Sequence, residues 1–288
     1  MSTFGILGSG FGLYGYLPAV IESGNSVSVP TRYKDKIFSR FELSTYASQI
    51  SYVDESEILL GCENLVLARD PQSQYDFLMS ADLVGKNLWL EKPLAPSIEM
   101  HRESIELISR KGYKFSLGYL FQYTDWWSFL VNATSEPSNL SIQVDWDLPR
   151  PQGWKDDSWN GGGIVAFYAI HFVPLLLHEG WVLGKTHFAN LGEGVYFTLN
   201  HIHGMKLSVR ISYTGTHLFR VSMSNLEVTS VNVFLGKTPF GQLPVKGKPD
   251  PRLPFLIKYI KQESRPSDQT LIHLQLEEMA VIFRKSFL

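Results

Sequence analysis

The chain has 288 residues, 44% of them apolar and 19% charged, the composition of an ordinary folded protein with room for two domains. Its net charge is −2 and it has no long basic run, which argues against nucleic acid or an anionic membrane as the main partner. Its single cysteine, Cys62, cannot form an internal disulfide, and no apolar run approaches the roughly 20 residues of a membrane span, so a cytoplasmic protein is expected.

A short apolar strand, Phe4 to Leu7, runs into Gly8-Ser9-Gly10-Phe11-Gly12, and an apolar helical pattern follows at Tyr14, Leu17, Val20 and Ile21. Strand, tight Gly turn and helix is the layout of a dinucleotide cradle. Glycines allow the sharp turn and the close approach of a diphosphate, and the helix start offers that anion unpaired N–H groups. Gly8 and Gly10 fit the first two positions of GxGxxG, whereas Leu13 holds the third, and Gly12 replaces it by a shift of one residue. The plain alternative is a Gly-rich turn with no ligand.

Ser26 to Thr31 reads as a second strand. In a dinucleotide fold its end faces the adenosine ribose, where an acid selects NAD and an arginine accommodates the 2′-phosphate of NADP. Thr31, Arg32, Tyr33 and Lys34 stand there with no acid before Asp35, which favours NADP over NAD; the alternative is that Arg32 and Lys34 are solvated surface charges. A strand at 50–53 precedes an acidic helix start at Asp54, and Asn64 to Ala68 is a buried-type strand ending at Arg69-Asp70-Pro71. A helix over 72–84 closing at Gly85, a strand at 87–90, a helix from Ser97 to Gly112 and a strand at 113–117 complete the set. Alternating strands and helices over residues 1–118 predict a Rossmann domain with a doubly wound parallel sheet.

The pattern then changes. Residues 121–131 read as an aromatic-rich helix, and 141–148 alternate like a strand with one wet face. A loop with Arg150, Trp154 and Trp159 leads to Gly161-Gly162-Gly163 and a helical run through Leu177. Segments at 186–191, 195–199, 206–213, 218–223 and 227–234 read as an antiparallel meander, 236–254 as loop, and 255–262 and 270–287 as closing helices. Residues 119–288 thus form an expected α+β domain on an open, mostly antiparallel sheet, whose uncovered face suits a homodimer or higher homo-oligomer.

Chemistry concentrates at few residues. Glu91-Lys92-Pro93 sits at the carboxyl end of a parallel strand, where ligands of open α/β sheets bind. A lysine there can position a substrate oxygen or donate a proton. His171 lies in an otherwise apolar run and can carry a proton near neutral pH; equally, such a histidine can be a satisfied core residue. Trp154, Trp159 and Arg150 are candidates to line a substrate site, since an indole face stacks on a sugar, and an aromatic loop can equally be core cover. His201-Ile202-His203 resembles a metal pair, but no carboxylate or cysteine cluster completes it, so no metal is expected.

Several of these stretches together resemble the Gfo/Idh/MocA oxidoreductases over nearly the whole chain. The Gly loop with Tyr16-Leu17-Pro18-Ala19-Val20, Leu65-Val66-Leu67-Ala68 before Pro71, Leu90-Glu91-Lys92-Pro93-Leu94-Ala95-Pro96-Ser97, and the triple glycine through His171 are similar to that family's motifs in order and spacing. The resemblance implies hydride transfer between nicotinamide and a small molecule, a sugar or sugar-nucleotide derivative. It implies catalytic roles for Lys92 and His171 and cofactor contacts at Gly8, Gly10, Phe11, Gly12, Thr31, Arg32, Ala68, Arg69, Glu91 and Lys92. Tyr119 and Tyr168 would assist Arg150 and the two tryptophans at the substrate. The chain departs from the pattern at Phe167, where the family carries an aspartate, at Pro174, an acid in the family, and at Gln74, a histidine in the family. Two further readings therefore stand beside it: a reductase of imines or conjugated double bonds, and a non-catalytic dinucleotide-binding scaffold.

Overall fold

The computed structural model describes residues 2–134, 140–189, 194–216, 218–225, 228–234, 247–262 and 266–285. The chain divides into two units, the first comprising Met1–Gly118 and Pro244–Leu274, the second Tyr119–Leu243 and Gln275–Leu288. The sequence division at 118 counts 244–274 with the second domain, whereas packing counts it with the first. The reason is apolar. The helix Leu253–Gln262 packs on the helix Leu17–Glu22, and buried Tyr259 meets Trp89 edge-to-face at 5.0 Å and Tyr16 at 6.3 Å. Such aromatic pairs contribute about 0.5–1.5 kcal/mol each beyond area burial.

The first unit holds strands β1 (Thr3–Leu7), β2 (Ser26–Pro30), β3 (Ile50–Val53), β4 (Asn64–Leu67), β5 (Asn87–Leu90) and β6 (Lys114–Leu117). All neighbours are parallel, in the order β3-β2-β1-β4-β5-β6. That is the Rossmann order, with its switch point between β1 and β4. Every residue of β4 is buried, as a strand covered on both faces requires. Helix starts follow local chemistry. Asp54 and Glu57 make a capping box for Glu55–Gly61, Asp70 accepts the N–H of Ser73 at 2.9 Å ahead of Pro71–Ser80, and Ser97 caps Ile98–Lys111. The helix expected over 72–84 ends at Ser80; Gly85, with φ 78°, belongs to the turn before β5.

The second unit holds β7 (Leu140–Leu148), β8 (Trp181–Ala189), β9 (Gly194–His201), β10 (Lys206–Tyr213), β11 (Leu218–Asn225) and β12 (Val228–Phe234) in the order β12-β11-β7-β10-β9-β8. The expected meander is interrupted. β7 inserts between β10 and β11, parallel to β10 and antiparallel to β11. On the face expected to be wet, Gln143 is exposed, whereas Asp145 and Asp147 are buried. Arg210 on β10 crosses to them, with Nε 2.8 Å from Asp145 Oδ1 and Nη1 3.2 Å from Asp147 Oδ1, and the Ser212 hydroxyl donates to Asp147 at 2.7 Å. The two aspartates of the alternating pattern thus pair across strands with an arginine that stays half-exposed.

The aromatic segment expected at 121–131 is a short 3₁₀ turn, Leu120–Tyr123, followed by the helix Asp125–Thr134. The run from the triple glycine is not one helix: a wide turn at Ile164–Tyr168 and a 3₁₀ turn at Ala169–His171 precede the short helix Val173–His178. Most of the expected loop at 236–254, together with His217, lies outside the described residues.

Candidate active site

The first unit carries one half of the predicted residues. At the switch point the Gly8 backbone lies so close to β4 that a Cβ there would stand 2.2 Å from the Ala68 carbonyl oxygen. A Cβ on Gly12 would stand 3.1 Å from Ile6 and 3.4 Å from the Ala68 side chain, so Gly12 serves the close packing of helix on strand. Around Gly10 a Cβ would meet nothing within 4 Å. These are the three glycine duties of a dinucleotide cradle: tight turn, open approach for a diphosphate, and helix–strand packing. The residues present therefore suit a dinucleotide, and Gly12 performs the duty that the regular motif gives to the position of Leu13.

Leu7, Ala68, Glu91 and Gly118 line up at the carboxyl ends of adjacent strands through the bonds Ala68 N–H to Leu7 (3.1 Å), Glu91 N–H to Leu67 (3.1 Å) and Gly118 N–H to Leu90 (3.2 Å). Lys92 is buried, with a cis peptide to Pro93. The Tyr16 hydroxyl donates to Glu91 Oε1 at 2.6 Å. Burial pushes the Glu91 carboxyl above its ordinary range, against the pull of Lys92, the Tyr16 hydroxyl and Arg252. Gln74, fully buried, donates from its amide to the carbonyls of Glu91 (2.7 Å), Leu94 (3.3 Å) and Pro93 (3.4 Å). At a departure from the family pattern, Gln74 thus holds the loop that carries Lys92.

Thr31 and Arg32 are exposed in the turn after β2. Arg32 and Arg69 both bind Glu55, one to each carboxylate oxygen. Although burial opposes it, this double contact lowers the Glu55 carboxyl below its usual range. Sequence reading named both arginines and missed the carboxylate that joins them, because Glu55 belongs to a helix start after a different strand. It also missed Arg252, whose guanidinium carbon lies 4.1 Å from the centroid of the Phe11 ring.

The second unit carries the other half. A Cβ on Gly162 would stand 2.1 Å from the Trp154 carbonyl oxygen, so the triple glycine lets the 154–155 backbone lie against the start of the His171 segment. His171 is partly exposed, with ring centroids of Phe121 at 5.7 Å, Trp146 at 5.9 Å and Phe167 at 6.3 Å around it. Phe167 is itself edge-on to Trp154 (5.2 Å) and Tyr168 (4.9 Å), with the Lys155 ammonium 5.3 Å from its centre. Arg150 reaches both carboxylate oxygens of Asp156 from Nε, at 2.9 and 3.1 Å, and lies 5.6 Å from the Tyr213 ring. Burial, reinforced by Asp156, pushes the Tyr168 phenol up to about 12. Tyr213 is raised as well, first by burial, and its buried hydroxyl oxygen has no hydrogen-bond partner among the described residues. At neutral pH both phenols keep their protons and can only donate or accept hydrogen bonds. Alternation on β10 marked Tyr213 as a strand residue and nothing more.

Two predicted residues fall elsewhere. Tyr119 is fully buried and its hydroxyl binds the buried carboxylate of Glu277, which makes it a core residue of the second unit. Trp159 is 88% exposed and takes no part in the aromatic cluster around Phe167. His201 and His203 are engaged with backbone, Nε2 of His201 at 3.2 Å from the Glu179 carbonyl and Nδ1 of His203 at 2.7 Å from that of Thr134.

Comparison with known proteins gives the same architecture. No family model matches the chain. An uncharacterized oxidoreductase of Synechocystis sp. (strain ATCC 27184 / PCC 6803 / Kazusa) is 23% identical over 244 residues, 80% of this chain and 65% of that protein, so the chain spans less than two thirds of the relative's length. Among solved structures, the dehydrogenase MviM of Clostridium difficile superposes with a TM-score of 0.69 at 14% identity, over 99% of this chain and 98% of the other. A myo-inositol dehydrogenase of Corynebacterium glutamicum gives 0.68 at 14%, over 96% and 95%. The WlbA dehydrogenase of Thermus thermophilus, solved with NAD and α-ketoglutarate, gives 0.64 at 17%, over 98% and 93%. These neighbours are Gfo/Idh/MocA-type dehydrogenases, and this chain shares their two-domain fold. No described helix is long and apolar enough to cross a membrane.

Proposed function

We propose that the protein is a nicotinamide-dinucleotide-dependent oxidoreductase of the Gfo/Idh/MocA type, acting on a sugar or sugar-nucleotide derivative with NADP as the favoured cofactor. The observation that carries this reading is the division of labour among Gly8, Gly10 and Gly12 at the switch point of a Rossmann sheet. Arg32 and Arg69, converging on Glu55, support the choice of NADP: two guanidiniums share one carboxylate, and a 2′-phosphate can replace it as their partner.

The dinucleotide supplies the hydride chemistry when bound. Lys92, on the loop that Gln74 fastens, binds the nicotinamide end and orients the substrate oxygen. His171, in the second unit, gives or takes the proton that accompanies hydride transfer. Tyr168 and Tyr213 stay neutral and donate hydrogen bonds to substrate oxygens, and Trp154 and Phe167 offer apolar faces to a sugar ring. The open sheet of the second unit is the surface for a homo-oligomer.

Phe167 favours a second reading. An aromatic wall beside His171, where the family pattern has an acid, suits an imine or conjugated double bond better than an alcohol. The test is turnover with NADPH or NADH on matched panels of sugar derivatives, imines and enones, in the wild type, Lys92→Ala and His171→Ala. Activity on sugars, lost by at least about a hundredfold in both variants, supports the first reading. Activity confined to imines or enones supports the second. Dinucleotide binding without turnover on any panel overturns both and leaves a binding scaffold.

A further inference from the structure

We infer that Arg252 is a diphosphate-contacting residue of the dinucleotide site, brought to the Gly loop by the segment through which the chain returns to the first unit. The inference rests on the dinucleotide reading above and adds a residue distant in sequence from every motif of that site.

The returning segment meets the rest of the first unit at Glu42 and at Phe11. The Gly247 N–H donates to Glu42 Oε2 at 3.1 Å, and Glu42 in turn holds Arg40, whose Nε lies 2.7 Å from Oε1. Farther on, the buried Asp250 carboxylate receives three bonds from Arg252: its backbone N–H at 2.8 Å, Nε at 2.9 Å and Nη2 at 2.8 Å. This fork leaves the guanidinium little freedom. It fixes the group over the ring of Phe11, inside the Gly loop, with 21% of the side chain still open to solvent.

A structural clamp accounts for part of this arrangement, since Asp250 also stands just ahead of the helix Leu253–Gln262. It does not account for the location. The Arg252 guanidinium stands at the Gly loop, 4.1 Å from the centre of the Phe11 ring, and its charge is felt by Tyr14 and by Glu91. The diphosphate joins the two halves of a dinucleotide. A cation held at the loop that reads phosphate is placed for that charge. Arginine suits the task because its planar guanidinium can bind a carboxylate along one edge and still donate from its remaining N–H groups to phosphate oxygens. Phe11 fits as well, since a ring under the guanidinium keeps it flat against the loop.

The test measures binding, not turnover. Dissociation constants for NADH and NADPH are read from nicotinamide fluorescence and for ADP-ribose from calorimetry, at low and high salt, in the wild type, Arg252→Gln and Arg252→Lys. ADP-ribose carries the diphosphate without the nicotinamide. The expected result for Arg252→Gln is a loss of about tenfold or more, similar for all three ligands, together with a weaker salt dependence. Arg252→Lys keeps the charge but not the fork, and recovers part of the affinity; it carries the test if the glutamine variant does not fold. Unchanged ADP-ribose binding in either folded variant, or a loss confined to NADH and NADPH, overturns the inference while leaving the dinucleotide reading intact. A wild type that binds none of the three overturns both.

Discussion

The Tyr16 hydroxyl donates to Glu91 Oε1 at 2.6 Å, tying the helix that follows the Gly loop to the residue before Lys92. Two motifs separated by four strands are thereby made one object. A Cβ on Gly118 would stand 2.6 Å from Glu91 Oε1 and 2.7 Å from the Tyr16 hydroxyl, so the end of β6 is cut back to make room for this bond.

Tyr16→Phe is expected to lower stability by about 1–3 kcal/mol, since it removes the hydrogen-bond partner of a buried carboxyl. Burial raises the folded pKa of Glu91 above the ordinary carboxylate value, and the Tyr16 bond favours the ionised form. The difference between wild type and variant is therefore largest at high pH and narrows as pH falls through that raised value. Chemical denaturation across pH 4–8 reads it, and a difference that grows on acidification would contradict the assignment.

Gly8 and Gly10 are expected to respond oppositely to alanine. At Gly8 the added carbon meets the Ala68 backbone at 2.2 Å, in a sheet that cannot yield, so Gly8→Ala should lower stability by about 3 kcal/mol. At Gly10 the added carbon meets nothing within 4 Å, so Gly10→Ala should melt like the wild type and bind dinucleotide poorly. Thermal melts with and without NADPH separate the two effects. Loss of stability at Gly10, or none at Gly8, would mean the loop is misread.

Glu55 provides a pH and specificity test. Its folded pKa is depressed below the ordinary 4.5, so its ion pairs stabilise the fold fully above that value and lose their effect as pH falls through the lower folded one. The contribution is modest, about 0.5–1 kcal/mol, because the Arg32 side chain is 55% exposed. Glu55→Gln should therefore melt slightly below the wild type at pH 7 and match it in acid. Freed of the carboxylate, Arg32 and Arg69 should bind NADPH more tightly while NADH changes little. Equal changes for both cofactors would show that these arginines do not read the 2′-phosphate.

Much of the first unit could be read in the chain because its signals are local. Gly8, Gly10 and Gly12 sit beside the strand they serve, and Glu91-Lys92-Pro93 follows its own strand directly. The parts that could not be read depend on pairing across long separations. Nothing around Ser141 to Leu148 says that this strand will lie between β10 and β11, so the pairing of Asp145 and Asp147 with Arg210 could not be read from their alternation. Tyr119 looked available to a substrate because its partner Glu277 is far along the chain. Gln74 looked like a lost histidine, while its amide reaches the loop of Lys92.

Direct titration of NADPH and NADH into the purified protein, followed by nicotinamide fluorescence, bears most closely on the proposed function. Saturable binding is expected, tighter for NADPH, weakened by Gly10→Ala, and with Arg32→Asp lowering NADPH affinity at least about tenfold more than NADH affinity. Absence of saturable binding by both dinucleotides would contradict the oxidoreductase assignment outright.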